Sequence, residues 1–200
     1  MSGWNNYKFK EKLANIISNL GNAPLISVYI FLVLNYYFLQ GTEFFIITSV
    51  SIIFAAVIPS IIAYLWVKNK NIEIDMPNKE DRLYPLLWIL LSYLIGVIIL
   101  YIISAPLIIN VLMFCYFSNT LIVLFISLFW KISIHSVGIA GPVAFLIYVF
   151  GYSGLIFLLL IPIIMWSRLY LKRHTLNQVI AGACLGLALT TLQIYFFLGF

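Results

Sequence analysis

Charge is scarce in this chain. Of 200 residues only six are Asp or Glu and eleven are Lys or Arg, so 8% are charged against 64% hydrophobic. With a mean hydropathy of +1.10, that balance excludes a soluble globular domain. Cysteine is nearly absent. Cys115 and Cys184 both lie in apolar runs, where they read as buried and inert, so neither a disulfide nor a thiolate metal framework is expected. The few carboxylates form no cluster with metal-ligand spacing, and no cofactor is expected. The first 23 residues lack the apolar core of a signal peptide. Internal repeats and low-complexity linkers are missing too.

What the chain has is one apolar run after another. Runs of about 18 or more residues read as transmembrane helices. They neither alternate strictly nor come in ten-residue units, which favours helices over a barrel. The expected fold is all-α, a polytopic integral membrane helical bundle of about six to seven transmembrane helices. Residues 1–23 read as a separate N-terminal segment. Within it Phe9, Leu13, Ile16 and Leu20 recur at helical spacing among lysines, the pattern of an amphipathic helix lying on a membrane surface. Residues 24–200 form the transmembrane domain. Its spans are expected near 24–40, 44–67 with a kink at Pro59, 86–104, 107–130, 137–150, 155–166, and from the polar stretch after 166 to the C-terminus. The sixth is short, because twelve residues rise only about 18 Å.

Counting spans puts three polar segments, 68–85, 131–136 and the stretch 167–182, on the face that also holds the N-terminus. Trp66, Trp88, Trp130 and Trp166 fall at that end of their spans, and Trp4 lies in the surface helix, as interfacial tryptophans should. All eleven Lys and Arg residues and both histidines occupy this face. By the positive-inside rule the N-terminus and this face are expected in the cytoplasm.

Positive-inside topology accounts for Lys8, Lys10, Lys12, Lys68 and Lys70. It does not account for basic residues and histidines grouped at the starts of spans. In "SRLYLKRHTLNQVIAG" Arg168 precedes His174 by six residues, and Gln178 follows His174 by four. His174 and Gln178 therefore share a helical face. The Gln178 side-chain oxygen can accept a hydrogen from one imidazole nitrogen and leave the other free, a base-and-orienter arrangement. Gly182 and Gly186 continue that face, and His135, Gly138 and Pro142 make a similar one. Two thin faces can bring His135 and His174 together.

Ser167-Arg168, His174 and Gln178 resemble the third motif of the type-2 phosphatidic acid phosphatase superfamily: Ser-Arg, five residues, His, three residues, Asp. Ile132-Ser133-Ile134-His135 resembles its second motif, Pro-Ser-Gly-His. The first motif, Lys, six residues, Arg-Pro, aligns on Arg82. Asp75 then stands where the motif has Lys, Lys79 lies three residues before Arg82, and the proline is displaced to Pro85. The resemblance spans Asp75 to Gly182. It implies a metal-independent lipid phosphatase acting on a lipid phosphate or pyrophosphate, in which His174 is the nucleophile and forms a phosphohistidine. His135 would protonate the leaving oxygen and then assist water. Lys79, Arg82, Arg168 and the Ser133 hydroxyl would hold phosphate oxygens, and Gln178 replaces the motif's Asp as the partner of His174.

The expected partners are a membrane lipid substrate and the bilayer, with no nucleic acid. Phosphotransfer to an alcohol, and a non-catalytic lipid-binding or transport role, are the alternative readings. Several residues also have plainer readings. Ser133 fits a helix N-cap. Lys172 and Arg173 fit a solvated or headgroup-facing surface. Asp75, Glu80 and Asp81 fit partners for Lys79 and Arg82, or contacts to a headgroup, rather than catalytic groups. Asn110, Asn119 and Thr120 fit helix–helix hydrogen bonding.

Overall fold

The computed structural model describes residues 2–73, 75–76 and 78–199, with side chains from Tyr7 onward; the Trp4 side chain lies outside the described residues. The described residues form helices and no strand. In chain order these are α1 (Ser2–Leu20), α2 (Ala23–Phe38), α3 (Gly41–Ile52), α4 (Ile58–Lys70), α5 (Glu80–Ile102), α6 (Leu107–Phe129), α7 (Ile134–Phe150), α8 (Leu160–Tyr170) and α9 (Leu176–Leu198). Five helical stretches are long and apolar enough to cross a membrane, six if the bent pair of α1 and α2 is counted. This is the all-α membrane bundle expected.

α1 meets α2 at a bend of 56°. It turns Ala14 and Ser18 inward against α8 and leaves Phe9, Leu13, Ile16 and Leu20 exposed. The expected apolar stripe therefore faces outward, available to lipid, while the adjacent small-residue face packs on the protein. Pro24 sits in the first turn of α2, where a missing N–H costs nothing, and the Asn22 side chain caps it by accepting from Leu25 N at 2.9 Å.

α3 and α4 form one stretch, Gly41–Lys70, interrupted by a π-turn over Ile53–Val57. Pro59 is the cause. It has no N–H for the carbonyl of Ala55, and Ser27 Oγ donates to that oxygen instead, at 2.8 Å. Ser92 Oγ does the same for Phe54 O, also at 2.8 Å. The kink expected at Pro59 is thus a π-turn just before it, held by hydroxyls from α2 and α5.

The stretch Ile134–Tyr170 is helical almost throughout and 37 residues long, yet it is a hairpin rather than one rod. A straight helix of that length would separate its ends by about 55 Å. Instead Arg82 donates to Ile132 O just before the stretch, and also to Asp75 O, while Asp75 pairs with Arg168 near its end. The reversal is at Gly151, whose φ of +57° favours glycine. Three residues on, a Cβ at Gly154 would lie 2.5 Å from Leu146 O, so only glycine lets the returning leg pass. That leg begins as a 3-10 helix, Gly151–Leu159, before α8. Nine residues at about 2.0 Å and eleven at about 1.5 Å reach about 34 Å. The sixth pass, expected to be short, is long enough because 3-10 winding stretches it.

The largest apolar core joins α2, α3, α5, α6 and α7 around Phe31, Leu34, Leu100, Met113 and Phe145. α7 and α9 form the most extensive helix pair. A Cβ at Gly182 would lie 2.7 Å from Ser133 O, and one at Gly186 would lie 2.7 Å from Val137 O. Gly138 faces Ala23 of α2 instead. The thin face expected on α9 is real, and it seats the start of α7 beside the start of α9.

Candidate active site

The three polar segments meet at one end of the bundle, as the span count requires. His174 comes from the turn between α8 and α9. That turn closes by a Schellman motif: Arg173 N donates to Arg168 O and Lys172 N to Leu169 O, both at 3.0 Å. Lys172 takes the left-handed conformation there, at φ +54°. Folding the chain back this way carries His174 inward to 8% exposure.

Gln178 does two things at once. Its Oε1 lies 3.1 Å from His174 Nδ1 and accepts from Thr175 N at 3.1 Å. The second bond belongs to a capping box at the start of α9, with Thr175 as N-cap and Gln178 at the third position. A backbone N–H can donate only to an acceptor, so the shared atom is the amide oxygen. It follows that His174 Nδ1 carries the proton and Nε2 keeps its lone pair.

His135 enters from the first turn of α7. It lines a cavity of about 190 Å³ together with His174, Arg168, Arg82 and Asp75. The volume far exceeds the roughly 10–15 Å³ that one water needs. Below this polar mouth the walls are mostly apolar, with Asn119, Thr120 and Thr190 among them. They follow α5 from Arg82 to Tyr93 and α6 from Val123 to Leu112. Each descent covers eleven residues, about 17 Å of helix, or roughly half a bilayer's hydrocarbon core. Tyr93 and Tyr116, with ring centroids 5.6 Å apart, belong to its deep end.

Arg168 is the best-held cation, at 1% exposure. Its Nη1 donates to Ser18 Oγ of α1 and its Nη2 to Asp75 Oδ1, both at 2.5 Å, while Nε has no hydrogen-bond partner among the described residues. Arg173 pairs with Glu73, and its Nε stands 3.0 Å from Asp75 Oδ2. That Nε makes no hydrogen bond, so the contact is ionic and off-axis. Lys131 Nζ donates to Arg173 O at 3.0 Å. Four cations, Arg82, Arg168, Arg173 and Lys131, thus surround one carboxylate close to two histidines.

The electrostatics follow from that crowding. Burial, then the charges of Arg82, Arg168 and Lys131, push His174 down to about 3, against which the Gln178 hydrogen bond works. His174 is therefore neutral at physiological pH. Burial alone would raise the Asp75 carboxyl, but the charge and hydrogen bond of Arg168, followed by His135 and Arg173, outweigh it and hold Asp75 below the usual carboxylate value. Burial and the neighbouring arginines lower Lys131.

Of the residues singled out in the sequence, His135, His174, Arg82 and Arg168 line the cavity, and Gln178 holds His174. Arg82 donates from Nε to Met76 O, from Nη1 to Ile132 O and from Nη2 to Asp75 O, leaving two of its five N–H groups for other partners. Two residues lie elsewhere. Lys79 Nζ donates to Leu128 O and Phe129 O, covering the open carbonyls at the end of α6. Ser133 is fully buried as the N-cap of α7, accepting from Ser136 N and Ser136 Oγ. Arg173, read as solvated, is instead tied to Glu73 and Asp75. Asp75, read as a partner for Lys79 or Arg82, pairs with Arg168 and Arg173. Asn119 does bond between helices, donating to Thr190 Oγ1 of α9 at 2.9 Å. Ser18 and Lys131 carry no motif signal at all. Among the described residues no three His, Cys, Asp or Glu side chains converge as a metal site would require.

No protein-family model, no curated protein and no solved structure matches this chain.

Proposed function

We propose that this chain is a membrane lipid phosphatase, a divergent member of the type-2 phosphatidic acid phosphatase superfamily. It removes phosphate from a lipid phosphate or pyrophosphate through a phosphohistidine. The observation that carries this reading is the geometry of buried His174, with Nδ1 bonded to Gln178, beside His135 and buried Arg168 at the mouth of a mostly apolar cavity. An amphiphile with an anionic head fits such a site: the phosphate meets the cations and the tail descends between α5 and α6.

In the first step Nε2 of His174 attacks phosphorus and the bond from phosphorus to the lipid oxygen breaks. His135 gives that oxygen a proton. In the second step His135 takes a proton from water, the water oxygen attacks phosphorus, and the P–N bond breaks to release inorganic phosphate and restore His174. Arg168, with the free N–H groups of Arg82, faces the charge on the phosphate oxygens throughout. Phosphoryl transfer depends mainly on such positioning and charge stabilisation. The eleven basic residues on this face support, by the positive-inside rule, a site on the cytoplasmic side of the cell membrane.

The test is phosphate release across a panel of phosphatidate-type and polyprenyl mono- and diphosphates, wild type against His174→Ala. Release by wild type and none by the folded variant is the expected result. Equal release by both would refute the mechanism.

A further inference from the structure

The most deeply buried cation in the cavity already has an anion. Asp75 Oδ1 accepts from Arg168 Nη2 at 2.5 Å, and Asp75 Oδ2 lies 3.0 Å from Arg173 Nε. Asp75 lines the cavity beside His135 and His174. A carboxylate held between two guanidiniums occupies the place that two phosphate oxygens would take. Arg82 anchors the backbone of this residue rather than its side chain, through Asp75 O at 3.0 Å and Met76 O at 2.9 Å. Rotation about the Cα–Cβ bond of Asp75 therefore frees Arg168 while the backbone stays pinned.

We infer that Asp75 is a specificity-determining residue: a built-in competitor that yields to a doubly charged terminal phosphate and turns away the singly charged phosphodiesters of the surrounding bilayer. The inference rests on the reading of the cavity as a lipid phosphate site. A phosphomonoester carries about −1.5 to −2 at neutral pH, whereas a diester and a carboxylate each carry one negative charge. When a diester displaces Asp75 from Arg168, one single charge replaces another, and the preformed contact is lost with no gain in attraction. A monoester brings more charge to Arg168, Arg173 and Lys131 than Asp75 gives up. An uncompensated cluster of four cations facing a membrane would fill with bulk headgroups. Asp75 prevents that without blocking the substrate.

The experiment uses the full chain in detergent, with dioctanoyl phosphatidate as the monoester probe and dioctanoyl phosphatidylglycerol as the diester probe. Binding is read by calorimetric titration. Wild type is expected to prefer the monoester by about tenfold or more, the value of one charge-assisted contact. Asp75→Asn should gain about tenfold in diester affinity and lose most of that preference, while Asp75→Glu should keep it. If Asp75→Asn lacks a cooperative melting transition, Asp75→Ser is judged by the same criterion. An unchanged preference in the folded neutral variant overturns the inference, and so does the absence of binding to either probe in every variant. Selectivity that collapses as expected, with no phosphate release from any lipid, upholds the role of Asp75 and refutes the phosphatase reading instead.

Discussion

His174 Nδ1 stands 3.1 Å from Gln178 Oε1, and the same oxygen accepts from Thr175 N. One amide oxygen thus sets the tautomer of the candidate nucleophile and closes the first turn of α9. Gln178→Glu keeps both acceptors, since glutamate serves a capping box equally well. It adds a negative charge beside the imidazole, which raises the His174 pKa. The expected outcome is a folded protein in which the acid limb of the pH–rate profile for phosphate release moves to higher pH. Gln178→Ala loses the orienting bond and the cap together, lowering both rate and melting temperature. A Glu variant with an unmoved acid limb would separate Gln178 from the chemistry.

The two histidines differ in expected cost. In the proposed mechanism His174→Ala removes the atom that would attack phosphorus, so turnover should fall below detection. His135→Ala removes a proton donor, worth about 10²- to 10⁴-fold. The loss should shrink with substrates whose leaving group is already acidic, such as nitrophenyl phosphate. Kinetics on matched substrates with and without an acidic leaving group check this. An equal loss on both would remove His135 from its assigned role.

The pH dependence of stability has a definite sign. His174 falls from an ordinary 6.5 to about 3 in the folded chain, so between those values the unfolded state holds a proton that the folded state lacks. Stability therefore declines as pH drops through that window, by up to about 1.4 kcal/mol per pH unit for this one group. Asp75, whose carboxyl is lowered from 3.8, adds a further loss only at more acid pH. Melting temperatures of wild type and His174→Asn between pH 7.5 and 5 should converge as pH falls. Parallel curves would show that His174 is not held neutral.

The close approach of α7 and α9 is also testable. A Cβ at Gly186 would meet Val137 O at 2.7 Å and Ala140 Cβ at 2.9 Å. Backbone lies on one side, so the helices must separate rather than a side chain rotate. Gly186→Ala should cost about 1–3 kcal/mol, as overpacking does. It should also lower turnover by about 10²-fold by moving His135 relative to His174. Melting temperature and phosphate release on the same preparation check both. Full activity would mean that the register of the two helices does not set the site.

These expectations trace to what the sequence displays and what it hides. Hydropathy marks the spans because lipid demands long apolar runs. The spacing of His174 to Gln178 marks the pair but not its geometry: His174 precedes the N-cap Thr175, so the two do not share a helical face, and Gln178 reaches back to His174 from the third position of α9. The kink at Pro59 is legible because the ring removes a donor. The length of the sixth pass is not, because nothing in 151–159 announces 3-10 winding. Nor are the contacts of Arg168 with Ser18 and Asp75 legible, at separations of 150 and 93 residues. No periodicity reaches that far. Lys79 and Ser133 show the opposite error: residues near a motif that local backbone needs claim first.

The side of the membrane that the site faces follows from charge. Setting aside Arg82 and Arg168, the candidates for phosphate binding, and Lys79, which caps α6, still leaves eight basic residues at the site's end of the bundle. The turns at the other end carry none. Lys8, Lys10, Lys12, Lys68 and Lys70 lie outside the cation cluster, so the positive-inside rule applies to them and predicts this end in the cytoplasm. The hairpin at Gly151 keeps Arg168 and His174 on the same side as Arg82 and His135, which an uncrossed sixth segment would not. Thr42→Cys, Ser153→Cys and Asn71→Cys, each in a chain lacking Cys115 and Cys184, read the orientation directly, since all three positions are exposed. A membrane-impermeant thiol reagent added to intact cells should label the first two and spare the third. Labelling only at position 71 would invert the topology and put the substrate in the outer leaflet.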